Sequence, residues 1–118
     1  MKSSMREASV VAKLRDAIAR AGGWVLKTCP PVAAGTPDLL ACIGGRFVAV
    51  ECKAEHGKLS LLQIHTLQKI REAGGIAWVV SPRNIGEVVY HIVHTMAPTI
   101  PNKLNPVRPG ATAQVTDT

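Results

Sequence analysis

Over residues 4–21 the apolar positions recur at helical spacing. Val10, Val11, Leu14, Ala17, Ile18 and Ala21 form one stripe, while Arg6, Lys13, Arg15 and Arg20 fall elsewhere. The pattern predicts an amphipathic helix, with Ser4 as N-cap and Gly22-Gly23 as its end. A short apolar run, Trp24 to Thr28, reads as a strand, and Cys29 to Thr36, with Pro30, Pro31 and Gly35, reads as a loop. Pro37 then opens a strand over Asp38 to Ile43, and Gly44-Gly45 separates it from a valine-rich strand, Arg46 to Lys53. Two apolar runs joined by a diglycine predict a β-hairpin. After a polar loop (Ala54 to Lys58), Ser60 to Ala73 reads as a second helix, with Leu61, Ile64, Leu67 and Ile70 near helical spacing. Gly74-Gly75 ends it, Ile76 to Val80 reads as a buried strand, and a third helix runs from Pro82 to about Met96.

The predicted order is α-β-β-β-α-β plus a C-terminal helix. The hairpin is antiparallel, whereas the strand–helix–strand step calls for a right-handed parallel crossover. The expected fold class is therefore α/β, a mixed sheet flanked by helices. From Pro98 onward the pattern fades and four of the eight prolines gather: Pro98, Pro101, Pro106 and Pro109. Residues 1–97 read as one domain and residues 98–118 as a Pro-rich extension.

Composition narrows the function classes. The chain of 118 residues has 14 Lys and Arg against 8 Asp and Glu, a formal charge of +6, which suits a polyanionic partner such as nucleic acid. Lys103 and Arg108 against Asp117 leave most of that charge on the domain. Aromatic residues make up only 3%, which argues against single-strand binding by many stacked bases. Cys29, Cys42 and Cys52 are too few and too scattered for a disulfide framework. No apolar run approaches the ~18 residues of a membrane span, and the polar first residues lack the apolar core of a signal peptide. A soluble, cytoplasmic protein without membrane contact is expected.

The candidate chemistry lies on the hairpin. Asp38 begins its first strand, and Glu51 and Lys53 stand two apart at the end of its second, on one face, with Val48, Val50 and Cys52 on the other. A carboxylate on so apolar a strand needs a partner or a metal. Asp38 and Glu51, brought together by the sheet, would suit a hard divalent cation, with the Cys52 backbone carbonyl as a further oxygen ligand. Such an ion would stabilise negative charge developing on a phosphate, with Lys53 polarising the water or holding the anion.

At these residues the chain resembles the PD-(D/E)XK nucleases, and within them the VRR-NUC (virus-type replication-repair nuclease) branch. The matching stretches are Gly35-Thr36-Pro37-Asp38-Leu39-Leu40 and Gly45-Arg46-Phe47-Val48-Ala49-Val50-Glu51-Cys52-Lys53. Gly57-Lys58-Leu59-Ser60, Gln63 and Ala73-Gly74-Gly75 follow in order. The likeness runs from about Glu7 to Val89 and implies a restriction-endonuclease-like core. It implies Asp38 and Glu51 as metal ligands, Lys53 as the catalytic lysine, and Gln63 as a residue that orients the site. It places Glu7 near the metal, directly or through water, and a basic residue facing substrate at Lys27; Lys58 is a second candidate for phosphate contact. The implied cofactor is Mg²⁺, with Mn²⁺ as a substitute, and no small-molecule cofactor is called for. The implied activity is hydrolysis of DNA phosphodiesters to 5′-phosphate and 3′-hydroxyl ends. The implied substrate is branched DNA such as four-way (Holliday) junctions, cut by a homodimer, and a phage or prophage origin is also implied.

Plainer readings compete. Ser4-x-x-Glu7 and Ser60-x-x-Gln63 are both capping boxes, which alone would account for Glu7 and Gln63. Lys27 reads equally as a solvated strand residue, and Cys42 and Cys52 as small buried ones. His91 and His94 share a helical face without a second ligand pair, so no zinc site is expected, and no glycine-rich phosphate loop occurs. The rival functions are a flap, nicking or restriction-like nuclease, and a non-catalytic basic module that binds nucleic acid. A pure binder gains nothing from two carboxylates facing a phosphate.

Overall fold

The computed structural model describes residues 6–30 and 32–96. The expected Ser4 cap and the Pro-rich extension lie outside them. Helix α1 spans Glu7–Arg20, with Arg6 rather than Ser4 in the N-cap position and no side-chain cap. The capping-box reading of Glu7 therefore fails, since Glu7 is the first residue of the helix and not its third. Strands β1 (Trp24–Lys27), β2 (Leu39–Ile43) and β3 (Arg46–Cys52) follow, then α2 (Leu61–Glu72), β4 (Ile76–Val80) and α3 (Ile85–Thr95). Helix α3 begins three residues after Pro82 because residues 81–84 form a turn, in which Ser81 N–H donates to Asn84 Oδ1 at 2.9 Å.

The four strands lie in the order β1-β2-β3-β4. The first two pairings are antiparallel and β3–β4 is parallel, so the sheet is mixed as expected. The hairpin turn is set by Gly44 and Gly45, at φ +58° and +80°. Two consecutive positive φ angles match the twist of the strands they join and would strain any side chain.

Alternation along β3 divides the molecule into layers. Val48, Val50 and Cys52 face α1 and α3, where they join Val10, Leu14, Ala17, Ile18, Leu39, Ile43 and Ile92 in the main core. Ala49 and Glu51 face the other way, towards α2. Ala49 pairs with Ala77 of β4, and both are buried, so two small side chains lie side by side on the α2 face. Of the apolar stripe predicted for α2, only Leu67 is buried; Leu61 is 86% exposed and Ile64 is also exposed, because α2 packs chiefly on β3 and β4. The β1–β2 half of that face stays open, and Trp24, Cys42 and Phe47 form an exposed row across it. Cys42 is therefore a surface thiol, against the expectation of a buried one, whereas Cys52 is buried as expected. Among the described residues no helix is long and apolar enough to cross a membrane.

Candidate metal centre

Register places the two hairpin acids side by side. Leu39 pairs with Val50, so Asp38, one residue earlier on β2, lies level with Glu51 near the end of β3. Hydrogen bonds from two residues fix Asp38. Thr28, at the end of β1, donates from Oγ1 to the Pro37 carbonyl at 2.8 Å and from its N–H to the Asp38 carbonyl at 2.9 Å. The Asp38 carboxylate then accepts the Cys52 N–H on Oδ2 at 2.8 Å. Sequence reasoning did not single out Thr28, because its place opposite Asp38 comes from the β1–β2 pairing across a long loop with no short turn signal. The loop before Asp38 is anchored at Gly35, φ +84°, where an added Cβ would lie 2.7 Å from Leu62 Cγ of α2.

Among the described residues Glu51 is the one buried charged side chain, 3% exposed. Its Oε2 accepts from Gln63 Nε2 at 2.8 Å and lies 3.7 Å from Lys53 Nζ. Its Oε1 is buried with no hydrogen-bond donor. Burial, first, and then the neighbouring Asp38 carboxyl push the Glu51 pKa up to about 7, while Lys53 works against the shift and Glu7 adds slightly to it. The Cys52 thiol points into the core, and burial, reinforced by the Asp38 and Glu51 charges, pushes it up to about 12. That thiol is inert at neutral pH; only the Cys52 backbone reaches the site.

Gln63 carries both readings of its position. It closes a capping box with Ser60 at the start of α2 and also reaches Glu51. Lys53 sits half-buried beside Glu51, and Gly57 of the following loop packs against its stem. Glu7, exposed in the first turn of α1, is near enough for its charge to be felt at Glu51 and Cys52. Yet among the described residues no three of His, Cys, Asp and Glu converge on one point, so Asp38 and Glu51 stand as a pair. Lys27, at the exposed end of β1, faces the same end of the sheet, and its charge is felt at Cys52. Lys58 lies exposed in the loop before α2.

These residues fit a divalent cation. Each acid has one oxygen engaged by a protein donor, and Glu51 Oε1 is an unpartnered buried acceptor. An orphaned carboxylate oxygen costs stability unless a cation or proton meets it. Two anchored carboxylates plus a backbone carbonyl form the oxygen donor set that Mg²⁺ or Mn²⁺ takes, with water completing the shell.

No family model matches the sequence. No curated protein matches it either. Among solved structures, three chains match. One, described as a VRR_NUC domain, superimposes with a TM-score of 0.61 at 26% identity, over 72% of this chain and 95% of that one. With a four-stranded mixed sheet, three flanking helices and the hairpin acids in register, the chain has the fold of the VRR-NUC family, within the restriction-endonuclease-like class.

Proposed function

We propose that the protein is a metal-dependent DNA endonuclease. One observation carries the reading: Asp38 and Glu51 stand together at one end of the sheet, Glu51 has a buried oxygen without a donor, and Lys53 lies 3.7 Å from its other oxygen. The VRR_NUC neighbour supports the same chemistry.

Asp38, Glu51 and the Cys52 backbone carbonyl would hold the ion. When bound, a divalent cation supplies an electrophile that neutralises phosphate charge and acidifies water. Lys53 presents an ammonium beside the carboxylates, where it hydrogen-bonds the attacking water or a phosphate oxygen and stabilises the charge that develops. The water oxygen bonds to phosphorus as it gives up a proton to solvent, the bond from phosphorus to the 3′ oxygen breaks, and that oxygen takes a proton from solvent to leave as a hydroxyl. A 5′-phosphate and a 3′-hydroxyl result. Gln63 fixes the Glu51 carboxylate, and Lys27 and Lys58 contact flanking phosphates. Glu7 would approach the ion through water.

The proposed substrate is branched duplex DNA such as a four-way junction, in line with the resemblance and the charge of +6. Symmetric cleavage of two strands needs two sites, and we propose a homodimer that uses the open β1 edge. Carbonyls on the outer edge of β4 are already occupied: Ala77 accepts from Arg71 Nε at 3.1 Å and Val79 from Asn84 Nδ2 at 3.0 Å. On β1, Trp24 and Leu26 are 60% and 47% exposed, and the outer edge carries a lighter cover, Cys29 Sγ at 3.9 Å from the Lys27 carbonyl. Lys53→Ala, assayed for cleavage with Mg²⁺, Mn²⁺ or chelator, tests the catalytic reading. Metal-dependent cutting lost in the variant is expected, and equal binding without cutting under every condition would leave a basic binding module.

A further inference from the structure

Glu51 can present its bare oxygen to a cation only if its donors stay on the other oxygen. Gln63 is the donor with short geometry, yet a glutamine side chain has two nearly isosteric ends, and only the nitrogen donates. Rotated by half a turn, it would aim Oε1 at a carboxylate. The start of α2 decides between the two. Ser60 N–H donates to Gln63 Oε1 at 2.8 Å, so that oxygen is engaged and Nε2 is turned to Glu51 Oε2, also at 2.8 Å. The other half of the box, Gln63 N–H to Ser60 Oγ at 3.1 Å, holds the helix start but does not touch the amide's polarity.

We propose that the Ser60 backbone N–H is a positioning group for the metal site. It locks the Gln63 amide as a donor, assigns Oε2 of Glu51 to the protein and reserves Oε1 for the cation. The helix cap and the metal site are thus one hydrogen-bonded chain: Ser60 N–H, Gln63 amide, Glu51 carboxylate. The inference rests on the metal-dependent reading above and specifies which atom prepares that site.

Two substitutions separate the halves of the box. Ser60→Ala removes Oγ and keeps the N–H. Ser60→Pro removes both, and the native φ of −77° already suits a proline ring. Both variants lose the Oγ half of the cap and should melt lower than wild type, Ser60→Pro further than Ser60→Ala because it loses the N–H half as well. Mn²⁺ binding, followed by calorimetry well below either melting temperature, should stay within about 2-fold of wild type in Ser60→Ala. In Ser60→Pro it should weaken about 10-fold or more, the range typical when a group supporting a metal ligand is removed. Equal affinities in the two variants would overturn the lock while leaving the nuclease reading intact. A wild type that binds no Mn²⁺ would overturn both. The wild-type protein gives a second readout that does not depend on a variant folding. The Gln63 side-chain NH₂ should show slowed exchange with water by NMR, and a freely exchanging amide there would contradict the proposal.

Discussion

Glu51 concentrates the site's energetics in one side chain. Its pKa, raised from 4.5 to about 7, means that the folded protein holds this proton more tightly than the unfolded chain does. The resulting stabilisation is complete below about pH 4.5 and is lost as pH rises through 7, up to about 3 kcal/mol in all. Glu51→Gln should therefore melt higher than the wild type at pH 8 without metal, and the advantage should shrink towards pH 4.5. Mg²⁺ at pH 8 should raise the wild-type melting temperature and leave Glu51→Gln nearly unmoved, as ligand linkage requires. Because the cation needs the ionised acid, Mn²⁺ affinity and cleavage should both climb between pH 6 and 8. Lys53 lowers the Glu51 pKa, so Lys53→Ala should shift that climb to higher pH as well as cut the rate about 100-fold or more. The identities of these residues were legible from Pro37-Asp38 and Glu51-Cys52-Lys53, since period-two geometry puts the last acid and base on one face. The unpartnered Oε1 was not legible, because it depends on which oxygen Gln63 and Lys53 reach across from another element.

At the scale of elements, the site depends on how the loop before β2 meets α2. Gly35 holds a positive φ of 84° and touches Leu62, and Thr28 pins the backbone of Pro37 and Asp38. Gly35→Ala should destabilise the fold by about 2 kcal/mol through backbone strain and overpacking, and it should weaken Mn²⁺ binding by moving Asp38. Thermal melts and Mn²⁺ titration of the same variant measure both effects; an unchanged melting temperature would contradict the packing argument. The strands were readable to within a residue, because the diglycine turn and the valine-rich run fix the register. Helix α2 was readable in extent but not in its buried face. Its leucines and isoleucines follow helical spacing, yet the helix packs chiefly on β3 and β4, so Leu61 and Ile64 are left in solvent. Spacing along one helix cannot reveal the width of the sheet beneath it.

The whole molecule presents a basic, three-layered domain whose sheet edges differ. Arg71 and Asn84 occupy the outward carbonyls of β4 at 3.1 and 3.0 Å, whereas β1 displays Trp24 and Leu26 beside an edge covered at Lys27 by the longer 3.9 Å contact of Cys29 Sγ. Edges left in that state invite strand pairing, and a two-fold pairing of β1 with its copy satisfies both partners alike. Wild type should sediment as a dimer at tens of micromolar and Leu26→Arg as a monomer with an unchanged melting temperature; a monomeric wild type would contradict this interface. Edge asymmetry of this kind arises from side chains that reach back over β4 from α2 and the β4–α3 turn, which no local pattern announces. The most direct test of the central claim is cleavage of a labelled DNA panel (four-way junction, flap, linear duplex, single strand) by wild type and Asp38→Asn, in Mg²⁺, Mn²⁺ or chelator. Wild type should cut only with metal and prefer the junction, and Asp38→Asn should bind DNA without cutting it. Cleavage that persists in chelator, or an Asp38→Asn variant as active as wild type, would contradict a metal centre at the hairpin acids.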